Sequence, residues 1–473
     1  PSHTGSVTID GTLYKLKNRG MKIFHAEAAI RKHHRSMYRL AMGIKEYFQP
    51  VCVVLQKAEV AVHINKTEPE LLKAQIKERE YFIPGQEMNL VSRLFPREFE
   101  RGPCITIGIT FWHGGAEAFA ELLGYNNPHL FWVDGDFKKL DKTIQDIELY
   151  AYIASYIRYI DWGDMNRQQR RFLIRIIKRL MYHISNKIAL HNRTIWMIMR
   201  GIMYSGGYET SHGDSWVTAL VFFLFIADCA ARYPGLTMII EEALKARLIR
   251  IVVFGDDHIW CCLKLLRGVI NAEAFAQFLA RVCNKILREY KEYDVFLSTV
   301  DYNTGEMLYK GPKFLKTYFI ESGDDRISKI VPFRPTIEPV LKSFVDMTSY
   351  PEKMLLKAMA LMYGSLGTNR IVYDIAEEYY DILRNRDNRS PLELYYFFST
   401  QRNHEVSLTK IVRQIGLTPE QIFDHKPTWE ELRYRHIRDD VKNQYGFKSD
   451  MMTYLFLVDE EMRMCTTTPD MKF

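Results

Sequence analysis

The sequence predicts an α+β protein, and three observations carry that expectation. Strand and helix patterns are interleaved along 473 residues, without internal repeats or low-complexity tracts. Two mostly apolar runs, Phe131–Val133 and Leu248–Phe254, have the length of strands and lead into aspartates. From Pro332 onward the pattern turns mostly helical, with Pro335, Pro339 and Pro351 marking a boundary before a separate helical unit.

Composition narrows the class without fixing it. A hydrophobic share of 47% supports a large core, and the length fits roughly two to four domain-sized units. The net charge of +7 comes from 64 basic and 57 acidic residues, a mild excess that permits a nucleic-acid partner without demanding one. The cysteines (Cys52, Cys104, Cys229, Cys261, Cys262, Cys283, Cys465) form no CxxC pair, so they read as buried reduced thiols. His258 stands near Cys261 and Cys262, but adjacent residues of a strand face opposite ways, which discounts a metal corner. No secretory signal opens the chain. The longest apolar stretch, Trp216–Ile226, falls short of the ~20 residues that span a bilayer. A soluble protein with no transmembrane segment is expected. The start at Pro1 is read as processing or trimming.

Residues 20–50 read as a basic amphipathic helix, and Leu140–Met203 as a long, mostly helical region. Within it, Arg167–Arg179 holds six bases and no acid, either a solvated helix face or a wall that touches phosphates. A buried helix is expected over Ser215–Arg232, apolar on nearly all sides. Leu248–Phe254 and His258–Leu263 read as strands joined by a tight turn at Gly255-Asp256-Asp257.

Three elements carry chemistry. Asp256 and Asp257 sit side by side at the tip of that hairpin, where like charges call for a cation and oxygen ligands suit Mg²⁺ or Mn²⁺. In Phe131–Asp141 an apolar strand delivers Asp136 at its end, and Asp141 follows where a helix begins. One turn cannot surround two ions about 3.5–4 Å apart, so Asp136 is the expected partner of Asp256. The third element, Ser205–Ser215, offers glycines for close backbone approach, then hydroxyls and a carboxylate at the head of the buried helix. Taken singly, each also reads as an acidic turn, a helix cap or a glycine loop.

In this order and spacing the elements resemble motifs A, B and C of viral RNA-dependent RNA polymerases. Asp136 to Asp141 matches motif A, Ser205-Gly206 with Thr210 matches motif B, and Gly255-Asp256-Asp257 matches motif C. Phe314-Leu315-Lys316 resembles motif E. Lys66-Thr67-Glu68 and Lys77-Glu78-Arg79 resemble the basic motif F. The resemblance implies a right-hand fold. Fingers would span 1–130 and 145–200, the palm 131–144 and 201–335, and a helical thumb 336–473. It implies templated transfer of ribonucleotides to an RNA 3′ end in replicating or transcribing a viral genome. Asp136, Asp256 and Asp257 would hold two Mg²⁺ or Mn²⁺ ions. Lys66, Lys77 and Arg79 would clamp the triphosphate, and Asp141, Ser205, Thr210 and Asp214 would read the nucleotide. Gly206, Gly207, Phe314, Leu315 and Lys316 would touch RNA. Template, nascent RNA and nucleoside triphosphates are the implied partners, together with other viral replication or capsid proteins. The implied location is the host cytoplasm, a replication complex or the virion.

Two departures from the family pattern stand out. Motif B commonly ends in Asn where this chain has Asp214, and Thr210 to Ser215 looks like the picobirnavirus and partitivirus variant. The segment matched to motif D, Ser298–Tyr302, lacks the lysine expected there, and neither Lys291, Lys310 nor His258 is assigned its role. Three alternatives are weighed beside this reading. A phosphohydrolase of the haloacid-dehalogenase type would use Asp134 and Asp136 but meets Lys138 where that family has Thr or Val. A reverse-transcriptase-like enzyme usually has an aromatic-x-Asp-Asp turn and a bulky side chain that excludes the 2′-hydroxyl, whereas the glycine in Phe254-Gly255-Asp256-Asp257 and Asp141 favour ribonucleotides. A non-catalytic RNA-binding scaffold would not need all three aspartates.

Overall fold

The structure, a computed structural model, describes residues 5–9, 12–16, 51–64, 72–83, 104–107, 109–159, 162–191, 195–203, 210–301, 304–335, 351–386 and 426–437. In chain order the principal elements begin with strands β1 (Gly5–Ile9), β2 (Thr12–Leu16), β3 (Val51–Ile64) and β4 (Leu72–Ile83). Helix α1 (Gly115–Leu122), strand β5 (Leu130–Phe137) and helices α2 (Leu140–Thr143), α3 (Asp146–Tyr159) and α4 (Arg167–Ser185) follow. Strands β6 (Asn186–His191) and β7 (Ile195–Arg200) precede helices α5 (Thr210–Arg232) and α6 (Thr237–Lys245). Next come β8 (Arg250–Phe254), β9 (Asp257–Leu263), α7 (Ala272–Phe278) and β10 (Leu287–Tyr293). The short strands β11 (Thr299–Val300), β12 (Met307–Tyr309), β13 (Tyr318–Glu321) and β14 (Ile330–Phe333) lead to α8 (Pro351–Gly364), α9 (Arg370–Asn385) and α10 (Trp429–Tyr434). Helix and sheet are mixed as expected for an α+β chain.

A four-stranded sheet in the order β10-β5-β9-β8, antiparallel throughout, organises the centre of the described chain. Strands β5, β8 and β9 are mostly apolar runs because both of their faces are covered, whereas β10 at one edge is largely charged and exposed. On one face Phe131, Val133, Ile251, Val253, Trp260 and Cys262 pack against Val217, Val221, Phe222 and Phe225 of α5 and Phe275 of α7. On the other, Leu130, Trp132, Val252, Ile259 and Cys261 meet Phe111, Phe119, Phe296, Phe314 and Phe319. Cys261 and Cys262 thus point into opposite cores, and His258 shares no metal corner with them. By length and composition α5 could cross a membrane, with 44% of its most apolar stretch buried, and it packs on this sheet. No other described helix meets those criteria.

The region expected to be mostly helical up to Met203 is corrected at its end. Helices α3 and α4 give way to the antiparallel pair β6–β7, which joins a second sheet in the order β4-β3-β6-β7. Ile188, Ile195, Trp196 and Ile198 are β-branched or aromatic, and their strand preference outweighs the continuing helical period. The basic run lies on α4, whose Asn166 cap accepts from the Gln168 and Gln169 amides; Arg167, Arg170, Arg171, Arg175 and Lys178 are exposed. The basic helix expected over 20–50 lies outside the described residues. The helical unit after Pro335 buries Leu355, Met359 and Met362 against Tyr373, Ala376, Tyr380 and Leu432.

One close approach fixes a residue choice. A Cβ at Gly135 would stand 2.5 Å from Nε2 of His258, a fully buried ring on the neighbouring strand. Gly135→Ala is therefore expected to lower stability by about 1–3 kcal/mol. Adding His258→Ala should return part of that loss, and chemical denaturation of the single and double variants checks both.

Candidate active site

The register of the central sheet decides which acids meet. In β5 and β9 Asp136 is the cross-strand partner of Asp257, and antiparallel partners project from the same face. Phe254 pairs with Asp257 across a two-residue turn of Gly255 and Asp256. Gly255 has φ +65°, the conformation a tight hairpin of this kind asks of its first turn residue. The turn is fastened to α5 on both sides of Gly255. Its amide donates to Ser215 Oγ (2.8 Å), and its carbonyl accepts from Thr218 Oγ1 (2.9 Å). Ser215 in turn donates to the Ser211 carbonyl (2.6 Å). Asp256 is left exposed at the tip, while Asp257 and Asp136 are partly covered.

Burial first, and neighbouring carboxylates second, raise the proton affinity of two acids here. Burial, reinforced by Asp256, lifts the Asp257 carboxyl to about 6, against the opposing pull of Lys313 and Lys316. Burial also raises Asp214 well above the usual carboxylate range, with the charges of Asp141 and Asp256 adding to it. Asp214 lies in the first turns of α5, and its Oδ1 is buried without a hydrogen-bond partner. His258 is pushed down to about 4 by complete burial, so it is neutral at physiological pH and no candidate acid.

Asp141 is the second residue of α2, which Lys139 (φ +57°) caps, and the Asp141 carbonyl accepts from the Met203 amide (2.7 Å). Behind it Lys285, fully buried, donates to Glu148 Oε2 (2.7 Å) and to the Thr143 carbonyl (3.1 Å). Glu148 Oε2 also accepts the Gln145 amide (2.8 Å), which satisfies the buried charge pair.

Asp134 has a different part. It is buried, and its Oδ2 accepts from the Tyr293 hydroxyl (3.0 Å) and the Lys313 amide (2.9 Å). That bond anchors the turn Phe314–Thr317, in which Leu315 (φ 52°) and Lys316 (φ 61°) are both left-handed. Phe314 holds the turn from below, stacked on Phe119 with ring centroids 5.0 Å apart. Lys316 is thereby brought within electrostatic range of Asp257.

The structure thus gathers Asp136, Asp256 and Asp257, with Asp214 and Lys316 in electrostatic range of one or another of them and Asp141 in range of Asp214. Thr210 is the first residue of α5. Lys77 and Arg79 lie on β4, opposite Glu59 and Lys57 of β3. Lys66, Ser205, Gly206 and Gly207 lie outside the described residues. The strand beside Asp136 is β10, whereas Ser298–Val300 pairs with Ile320 and β12, away from the acids. Sequence reasoning missed Ser215 and Thr218 as fasteners, Asp134 as an anchor, and Arg288 of β10, which forms an ion pair with Asp136. A hydroxyl at each of two positions three apart on a helix facing a hairpin was the available signal for the fasteners. For Arg288 there was none. Among the described residues no three His, Cys, Asp or Glu side chains form a ready metal cage. No protein-family model and no curated protein matches the chain.

A carboxyl whose proton affinity rises on folding binds its proton more tightly in the folded state, so stability falls as pH rises from its unfolded value near 4 to about 6. Chelator-treated protein should therefore lose stability across that window. Asp257→Asn should flatten the decline, as read by urea denaturation at a series of pH values.

Proposed function

We propose that the chain is an RNA-dependent RNA polymerase of viral type, transferring ribonucleotides to an RNA 3′ end under template direction. The observation that carries this reading is the pairing of Asp136 with Asp257 across adjacent strands, with Asp256 at the tip of the same hairpin. Two strands delivering carboxylates to one edge is what a pair of divalent ions requires, and a lone acidic turn does not supply it.

The residues fit Mg²⁺ or Mn²⁺. All the donors are hard oxygens, and burial and the neighbouring charge of Asp256, which raise the affinity of Asp257 for its proton, are what a cation would offset. A ready cage is not needed, since Mg²⁺ keeps waters and takes one or two carboxylates together with substrate phosphates. Asp136, Asp256 and Asp257 would hold the ions, whose chemistry is to activate the 3′-hydroxyl and neutralise the leaving pyrophosphate. Ser215 and Thr218 fix the direction in which the Asp256 turn points. Lys316, on its stacked and anchored turn, adds positive charge on the side where an RNA strand would lie.

Asp214 departs from the family pattern, and burial raises its affinity for a proton. A carboxyl that keeps its proton donates and accepts, as the family's Asn does, whereas a carboxylate only accepts. Beside Asp141 it is suited to bind a ribose hydroxyl from both sides. On this reading the central sheet is the palm, the sheet containing β3 and β4 belongs to the fingers, and α8–α10 to the thumb. The phosphohydrolase alternative requires Asp134 open to substrate, and Asp134 is buried with two donors already bound.

Asp256→Asn and Asp136→Asn should each reduce Mg²⁺- or Mn²⁺-dependent incorporation on a defined RNA template by about 10³-fold. The exposed Asp256 variant should keep the wild-type melting temperature. Most of the activity surviving in Asp256→Asn would remove the metal assignment. Asp214→Asn should preserve ribonucleotide incorporation, while Asp214→Ala should lose about 10- to 100-fold. Steady-state incorporation with ribo- and deoxynucleotides separates these outcomes.

A further inference from the structure

Asp136 is not left bare by the fold. Strand β10 pairs Leu287 with Phe137 and Glu289 with Asp136, so Arg288 is an extra residue bulged out of the ladder beside that carboxylate. A bulge redirects the side chain it carries, and here the Arg288 guanidinium forms an ion pair with Asp136 Oδ2. The two ends of the pair differ in exposure: the Asp136 side chain is 16% exposed, Arg288 52%. Glu289, next in the strand, is bound by Lys313 (3.0 Å) and feels the charge of Arg288 as well, while the guanidinium itself pairs with Asp136.

From this geometry we infer that Arg288 is a built-in stand-in for the divalent cation at Asp136, and that cation binding and the Arg288 contact exclude one another. The inference rests on the metal reading above. A single carboxylate oxygen engaged by a guanidinium is less available to a cation, and a half-exposed pair is weak enough to be displaced. The acid is thus neutralised before the cation arrives and surrenders its partner when it binds. Loading becomes an exchange of one positive group for another, which lowers the apparent affinity by the strength of the ion pair.

Mn²⁺ binding to the full chain, followed by the paramagnetic resonance signal of the free ion without nucleotide or RNA, tests this. Wild type is compared with Arg288→Ala, Arg288→Gln and Asp136→Asn. Both arginine variants should bind Mn²⁺ roughly two- to fivefold more tightly than wild type, with the gap closing as salt is raised. Without cation they should melt below wild type, and saturating Mn²⁺ should remove that difference. Equal or weaker Mn²⁺ binding by both variants, where Asp136→Asn has lost it, overturns the exchange and leaves the metal reading standing. Unchanged binding by Asp136→Asn overturns the metal reading and the exchange together.

Discussion

Two acids facing one another across a strand pair repel, so the partnership of Asp136 with Asp257 depends on the Arg288 ion pair beside it and on packing elsewhere. That packing comes from the rest of the sheet. Apolar cores on both faces make the register hard to change, because a one-residue slip would turn Phe131, Trp260 and their neighbours to the wrong side. The acids occupy the end of the sheet where the apolar contacts run out, and their repulsion is set against the burial of many aromatic and branched side chains. The carboxylates stay crowded because everything behind them is packed.

Around that end the chain supplies separate restraints for each piece. Ser215 and Thr218 take both backbone groups of Gly255 and fix the hairpin tip to the core helix. Asp134, two residues from Asp136 on the same strand, gives up its exposure to anchor the Phe314–Thr317 turn through the Lys313 amide. One strand therefore serves both the acids and a basic turn near them. The aspartates in Asp134-Gly135-Asp136 have opposite duties, and the glycine between them admits the His258 ring.

Much of this arrangement was legible in the sequence. Apolar runs ending in aspartates gave both strands and the turn, and the partnership of Asp136 with the hairpin followed from the need of two ions for two strands. What stayed hidden depends on distant packing. Nothing local distinguishes Asp134 from Asp136, since the difference lies in Tyr293 and Lys313, 159 and 179 residues away. Arg288 reaches Asp136 through a bulge that no residue pattern announces. The strands at 186–200 were obscured by the helical period of the residues before them, although their branched and aromatic side chains pointed the other way.

The enclosed pair of Lys285 and Glu148 has a mechanical consequence. Pulling it apart would strand a charge in the interior at a cost of about 3–5 kcal/mol. The stretch leading away from Asp141 and the stretch leading into the strand beside Asp136 are thereby riveted together. If this end of the molecule closes around something, those two segments travel as a single plate, and the give must come from the surrounding loops.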